Sequence, residues 1–147
     1  MTTGVFELTT GLRVELAKAV RRPGRVIALT GAGISAESGI PTFRGLDGFW
    51  TVGSEVYRNE EISTFDFFAN HPEESWRWFL WRRNRWGSAE PNAAHRALAR
   101  LDRALGERFL VITQNIDGLH LDAGNHPERV IEGHGNLRMM RCSAPCG

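Results

Sequence analysis

The 147 residues are 41% hydrophobic and 24% charged, which suits one water-soluble globular unit with a real core, or part of a larger one. A net charge of +1 gives no global field toward nucleic acid or an anionic membrane, so neither is an expected partner. The longest apolar runs, "VIAL" and "FLVI", are too short to span a bilayer, and "MTTGVFELTT" lacks the pattern of a signal peptide. With two cysteines the chain is no disulfide scaffold, and a cytoplasmic location is the expectation.

Residues 10–22 carry Leu12, Leu16, Ala19 and Val20 at helical spacing, and Pro23-Gly24 stops that helix. A buried strand over 25–30 follows and runs into "TGAGISAESGIPTFRG". Here Gly31, Gly33 and Ala36 satisfy G-x-G-x-x-G/A, a pattern that lets backbone N–H groups approach phosphate. Gly39 and Pro41 then break any helix within about two turns, which is unusual for a dinucleotide loop. Beyond the breaker, Phe43 and Arg44 sit on a segment able to fold over a ligand.

Residues 44–90 show no strand pattern and many aromatics. Pro72 starts a helix with Glu73 and Glu74 in its first turn and arginines late, matching the helix dipole. The stretch "WRWFLWRRNRW" (76–86) mixes aromatics and arginines, yet Trp76, Phe79 and Leu80 fall on one helical face and are expected to be buried. "PNAAHRALARLDRALG" reads as an amphipathic helix capped by Asn92, striped by Ala94, Leu98, Leu101 and Leu105, and ended by Gly106. A second strand over 108–113 leads to "QNIDG", a short helix "LHLDAG", and a third strand over 129–133. "NLRMMRC" alternates and is expected to form a strand of something smaller.

This order predicts α/β architecture with a parallel sheet. Ligands of such sheets bind beyond the carboxyl ends of the strands, where the chain places "TGAGIS", "TQNIDG" and "EGHGN". Ser35 suits either a ribose contact or a helix cap. Asn115 and Asp117 can grip a carboxamide or sugar hydroxyls, or form an Asx-turn. His134, between two glycines at a strand end, suits general-base work near neutral pH. His120 is a candidate supporting partner. Cys142 and Cys146 read as C-x3-C, two of the four ligands that a structural zinc needs.

"GAGISAESGIPTFRG", "PNAAHRALARL", "TQNIDGLH" and "EGHGN", in this order and followed by a cysteine pair, resemble the sirtuins, NAD-dependent protein-lysine deacylases. The resemblance runs from about residue 25 to the end. It implies a Rossmann-like NAD-binding domain over 1–135, incomplete, with a helical and flap insert at about 44–90, and the start of a zinc module at 136–147. It implies NAD as cofactor, acyl-lysine proteins or peptides as substrate, and nicotinamide and O-acyl-ADP-ribose as products. Gly31, Ala32, Gly33 and Ser35 would cradle phosphates and ribose, with Ile34, Ser38, Gly39 and Pro41 around them. Phe43 would guard the ribose carbon and Arg44 would order the flap. Gln114, Asn115, Ile116 and Asp117 would line the nicotinamide and ribose pocket, and His134 would be the base. Phe79 and Arg82 align with a Tyr and Arg pair that one branch uses to prefer acidic acyl groups. Cys142 and Cys146 would be half of a structural zinc site, although C-x3-C departs from the family's usual C-x2-C. The resemblance covers about half of a family catalytic domain, so residues 1–147 alone are expected to be inactive. Two alternatives remain at this point: a non-catalytic nucleotide-binding or interaction module, and an NAD-dependent ADP-ribosyltransferase.

Overall fold

A computed structural model describes residues 9–42 and 62–142. Helix α1 (Thr10–Arg21) begins at Thr9, whose hydroxyl accepts the Leu12 N–H, and carries Lys18 and Arg21 in its last turn. Strand β1 (Val26–Thr30) follows the Pro23-Gly24 break. The next segment, Ala32–Ser38, is wound as a 3₁₀ helix rather than as a clipped α-helix. Gly39 closes it at φ 82°, a left-handed conformation that favours glycine, and its N–H caps the Ala36 carbonyl.

The insert contributes α2 (Phe65–Asn70) and α3 (Pro72–Trp86). Pro72 does open α3, but the buried face differs from the sequence expectation. Ser75, Trp78 and Arg82 point inward, whereas Trp76 and Leu80 are 40% and 46% exposed and Phe79 is half-buried. The reason is local. Trp78 packs on Ile62, with Phe67, Phe79 and Trp86 around them, so this module has its own small aromatic core.

Helix α4 (Ala93–Leu105) starts in a reciprocal cap between Asn92 and His95. Its most deeply buried residues are His95, Ala99 and Asp102; Leu98, Leu101 and Leu105 are half-buried, and Ala94 is exposed. A one-turn 3₁₀ segment then leads into β2 (Phe109–Thr113). Helix α5 (Leu119–Asp122) and the turn Pro127–Arg129 precede β3 (Val130–Glu132). Residues 136–142 form turns and irregular backbone, so the alternation in "NLRMMRC" does not produce a strand there. Leu137 N–H bonds instead to the Ile116 carbonyl, and the Asn136 side chain takes the Arg138 N–H, which holds the segment against the second loop.

The sheet is parallel throughout, in the order β1-β2-β3, with Val26 opposite Phe109 and Val111 opposite Val130. β2 is central and most buried, and α4 packs on it. Parallel pairing sends all three carboxyl ends the same way, so the loops after Thr30, Thr113 and Glu132 emerge together. The register also puts Ile27, Leu29, Leu110, Ile112 and Ile131 on one sheet face. Ile27 and Leu29 are more than half exposed and Ile131 is 49% exposed. Among the described residues, no helix is long and apolar enough to cross a membrane.

Candidate active site

The strand-end loops border a cleft of about 530 Å³. Its floor is the second loop, Gln114 to Asp117. Ala32, Ser35, Ile40 and Pro41 of the first loop line one side, and His134, Leu137 and Arg138 line another. The insert closes it with Trp78, Phe79, Arg82 and Trp86. Gly31, Gly33, Ile34, Ser38 and Gly39 belong to the same first loop but do not line this cleft. Phe43, Arg44 and Cys146 lie outside the described residues.

Ser35, fully buried, joins the first two loops. Its hydroxyl donates to Asp117 Oδ2 at 2.7 Å and accepts from Asn115 Nδ2 at 3.1 Å. Asn115 Nδ2 also donates to the Gly31 carbonyl, so the amide nitrogen is committed to the first loop. Its carbonyl oxygen is the end left to meet a ligand. Asp117 combines two roles that the sequence left open. Oδ1 accepts the Leu119 N–H in an Asx-turn that starts α5, while Oδ2 holds Ser35 at the cleft. Gly118 follows at φ 76°, and a Cβ there would lie 3.0 Å from the Arg138 guanidinium. That guanidinium forms a two-pronged pair with Asp122, which holds the Asp122 carboxyl below its usual range and ties the 136–142 segment to α5.

His134 is exposed, with Nδ1 3.0 Å from the Gln114 carbonyl oxygen. A carbonyl only accepts, so Nδ1 carries a proton, and in the neutral ring Nε2 presents its lone pair. This is the tautomer a general base needs. Beside it, burial raises the Glu132 carboxyl above its ordinary value, against the pull of its Asn136 hydrogen bond.

The glycines of the first loop carry a separate signal. Gly31 has extended backbone, and neither Gly31 nor Gly33 has positive φ, so backbone conformation demands glycine at neither place. A Cβ on Gly33 would meet nothing within 4 Å, and one on Gly31 only Gln114 Oε1 at 4.0 Å. The space beside both Cα atoms is open, which fits close approach of a phosphate-bearing ligand to the loop backbone. Gly33→Ala is therefore expected to leave thermal stability unchanged or slightly raised, while weakening ADP-ribose affinity about tenfold or more. Calorimetric titration beside a melt of the same sample checks both halves.

Arg82 was a candidate beside Phe79, but its burial against two indoles was not legible in the sequence, nor were Leu137 and Arg138 as lining residues. Arg82 is 8% exposed, with its guanidinium carbon 4.8 Å and 5.2 Å from the ring centroids of Trp78 and Trp86. Leu137 and Arg138 enter the cleft from a stretch that reads as a strand. Cys142 is exposed, and among the described residues no three potential metal ligands cluster.

Taken together, a parallel α/β sheet with a glycine loop, an amide-carboxylate loop and an accessible histidine at one end defines a protein of Rossmann-like fold. The model of the Sir2 family matches residues 31–147, and this chain belongs to that family. It is 48% identical over 130 residues to NAD-dependent protein deacylase 1 of Archaeoglobus fulgidus, an alignment covering 88% of this chain and 50% of that protein. It superposes on a crystal structure of a Sir2 homolog–NAD complex with a TM-score of 0.74 at 45% identity, over 89% of this chain and 48% of the other. A Sir2 structure with a deacetylated p53 peptide and 3'-O-acetyl ADP ribose gives a TM-score of 0.64 at 39% identity, over 84% and 47%. The chain spans about half the length of the relatives it matches.

Proposed function

We propose that this chain supplies the nucleotide-binding and general-base part of an NAD-dependent protein-lysine deacylase. The reaction consumes NAD, an acyl-lysine protein and water, and yields free lysine, nicotinamide and O-acyl-ADP-ribose. One observation carries the reading: His134, with Nδ1 against the Gln114 carbonyl and Nε2 free of that contact, shares a cleft with Ser35, Asn115 and Asp117. Relatives named as deacylases and a neighbour holding a deacetylated peptide support it.

When bound, NAD supplies an electrophilic ribose carbon and nicotinamide as leaving group. The open space over Gly31 and Gly33 suits its phosphates, and Ala32, Ser35 and Pro41 form the wall beside them. The Asn115 carbonyl oxygen is oriented by its own amide's bonds to Gly31 and Ser35, so it is fixed before a ligand arrives. Asp117 is held by Ser35 and the Leu119 N–H, so its carboxyl group stands beside the site where positive charge would develop. His134 Nε2 is placed to take a proton from a sugar hydroxyl presented in the cleft. Phe43 and Arg44 would act as the closing flap. Cys142 and Cys146 would be two of the four ligands of a structural zinc, with Cys146 outside the described residues. A cytoplasmic location suits acyl-lysine substrates and remains a proposal.

Phe79 and Arg82 line the wall where an acyl chain would lie. Burial lowers the Arg82 pKa to about 10, still cationic at neutral pH. Its guanidinium is engaged by two indoles, and Phe79 offers no hydroxyl. The absent hydrogen bond to a charged acyl group is worth roughly 1.5–3 kcal/mol, or one to two decades. We expect at most a weak preference for succinyl-lysine over acetyl-lysine, measured as the ratio of kcat/KM. A strong succinyl preference would mean that another residue replaces the phenol.

The test of the reaction class is nicotinamide release measured with and without an acyl-lysine peptide, in the enzyme containing this chain. Release that requires the peptide, with equimolar O-acyl-ADP-ribose, supports deacylation. Peptide-independent release would point to ADP-ribosyl transfer or NAD hydrolysis, and no release to a binding module.

A further inference from the structure

Behind the first loop lie two buried imidazoles that the proposed chemistry does not use. His95, in the first turn of α4, is fully buried, and His120, on α5, is 2% exposed. Their rings meet edge to face, with centroids 5.0 Å apart at 62°. His95 Nδ1 takes the Asn92 N–H at 3.4 Å, and His120 Nε2 lies 2.9 Å from Thr30 Oγ1. Thr30 is the last residue before the glycine loop. Asn92 in turn donates through Nδ2 to the Ile34 carbonyl at 2.6 Å and to Ser38 Oγ at 3.0 Å. A closed circuit results: His120 holds the start of the loop, Asn92 holds its middle and end, and His95 joins the two anchors.

The remaining ring nitrogens, His95 Nε2 and His120 Nδ1, are buried without a hydrogen-bond partner among the described residues. Orphaned polar atoms in a native interior call for an explanation. His95 Nδ1 accepts, so a neutral ring carries its proton on Nε2. If His120 donates from Nε2 to Thr30, its Nδ1 is an acceptor. The two orphans then become one donor and one acceptor on touching rings. A small ring rotation, or one buried water between them, satisfies both.

We propose that His95 and His120 are positioning residues, a neutral imidazole pair in which both rings are protonated on Nε2, and that this pair braces the Gly31–Ser38 loop from behind. The assignment concerns the support of the loop and does not depend on what the loop binds. Burial favours the neutral form of both rings. It pushes His95 below the ordinary histidine value, and His120, with His95 beside it, to about 4. Asp117 opposes these shifts at both rings, and Arg96 reinforces the one at His95. Unfolded histidines bind protons below about 6.5 while this pair does not. Folding stability is therefore fully supported at neutral pH and declines as pH falls below about 6.5, while the folded His120 ring stays neutral until pH nears 4.

Nitrogen-15 NMR of the histidine rings in the purified chain tests the assignment directly. Two rings should show protonated Nε2 and bare Nδ1, with His120 titrating near 4 and His95 below the ordinary histidine value. A ring at either position that titrates near 6.5, or carries its proton on Nδ1, overturns it. Amide hydrogen exchange tests the bracing. His120→Leu should speed exchange at Ile34, Gly39 and Ile40 about tenfold or more, as expected for losing one buried hydrogen bond, and leave Val111 unchanged. His120→Gln, which can still donate to Thr30, should restore most of the protection. Equal acceleration at Val111, or none at the loop, refutes a positioning role. If the leucine variant does not fold, the tautomer measurement on the unaltered chain decides.

Discussion

Replacing His134 by alanine is expected to lower deacylation by roughly 10²–10⁴-fold in the enzyme carrying this chain, the range a positioned general base supplies. NAD binding should change little, because His134 approaches the cleft from the third loop while the nucleotide loop is braced by Ser35, Asn92 and Asn115. The effect should fall on kcat, with the KM for NAD within a few-fold of its original value. His134→Gln should do no better, since an amide cannot take up the proton. Near-normal turnover of an acyl-lysine peptide by His134→Ala would remove the residue from the mechanism.

Asp102→Ala is expected to be the most damaging single change to stability. This carboxylate, on the buried face of α4, accepts from the His126 N–H at 2.6 Å, from Arg129 Nε at 2.5 Å and from Asn125 Nδ2 at 3.4 Å. Burial alone would raise its pKa, but these hydrogen bonds and the Arg129 charge outweigh that and hold it below the usual range. Removing one partner of a buried pair strands the other, at a cost of about 3–5 kcal/mol. The turn that launches β3, and with it His134, loses its anchor. Urea unfolding at pH 7 measures the loss. The sign of the pH dependence follows from the lowered pKa. The contribution is present above the ordinary aspartate value near 3.8 and disappears as pH falls below it, so the two proteins should converge in acid. A loss under about 1 kcal/mol at pH 7 would show that the network is not what holds this turn.

The parts of the molecule legible in the sequence were those governed by local rules. Short apolar runs marked the three strands, Pro72 and Asn92 marked helix starts, and parallel order brought "TGAGIS", "TQNIDG" and "EGHGN" to one end. The burial of α3 was not legible. Which side of an aromatic-rich helix turns inward depends on Ile62 and Phe67, contributed from outside the helix. The 136–142 segment misled for a similar reason, since alternating side chains make a strand only where a partner strand exists. Leu137 found the Ile116 carbonyl instead. Nor could spacing disclose that His95 and His120, 25 positions apart, share a buried contact, because helix packing brings them together.

The most direct measurement is a titration of the isotopically labelled chain with ADP-ribose, followed by amide chemical shifts. The account predicts saturable shifts concentrated at Gly31–Ser38, Gln114–Asp117 and Gly133–Gly135, with α1 and the exposed sheet residues Ile27 and Leu29 silent. Shifts centred on α1 or on that sheet face, or no saturable response at millimolar ligand, would contradict the placement of the nucleotide site.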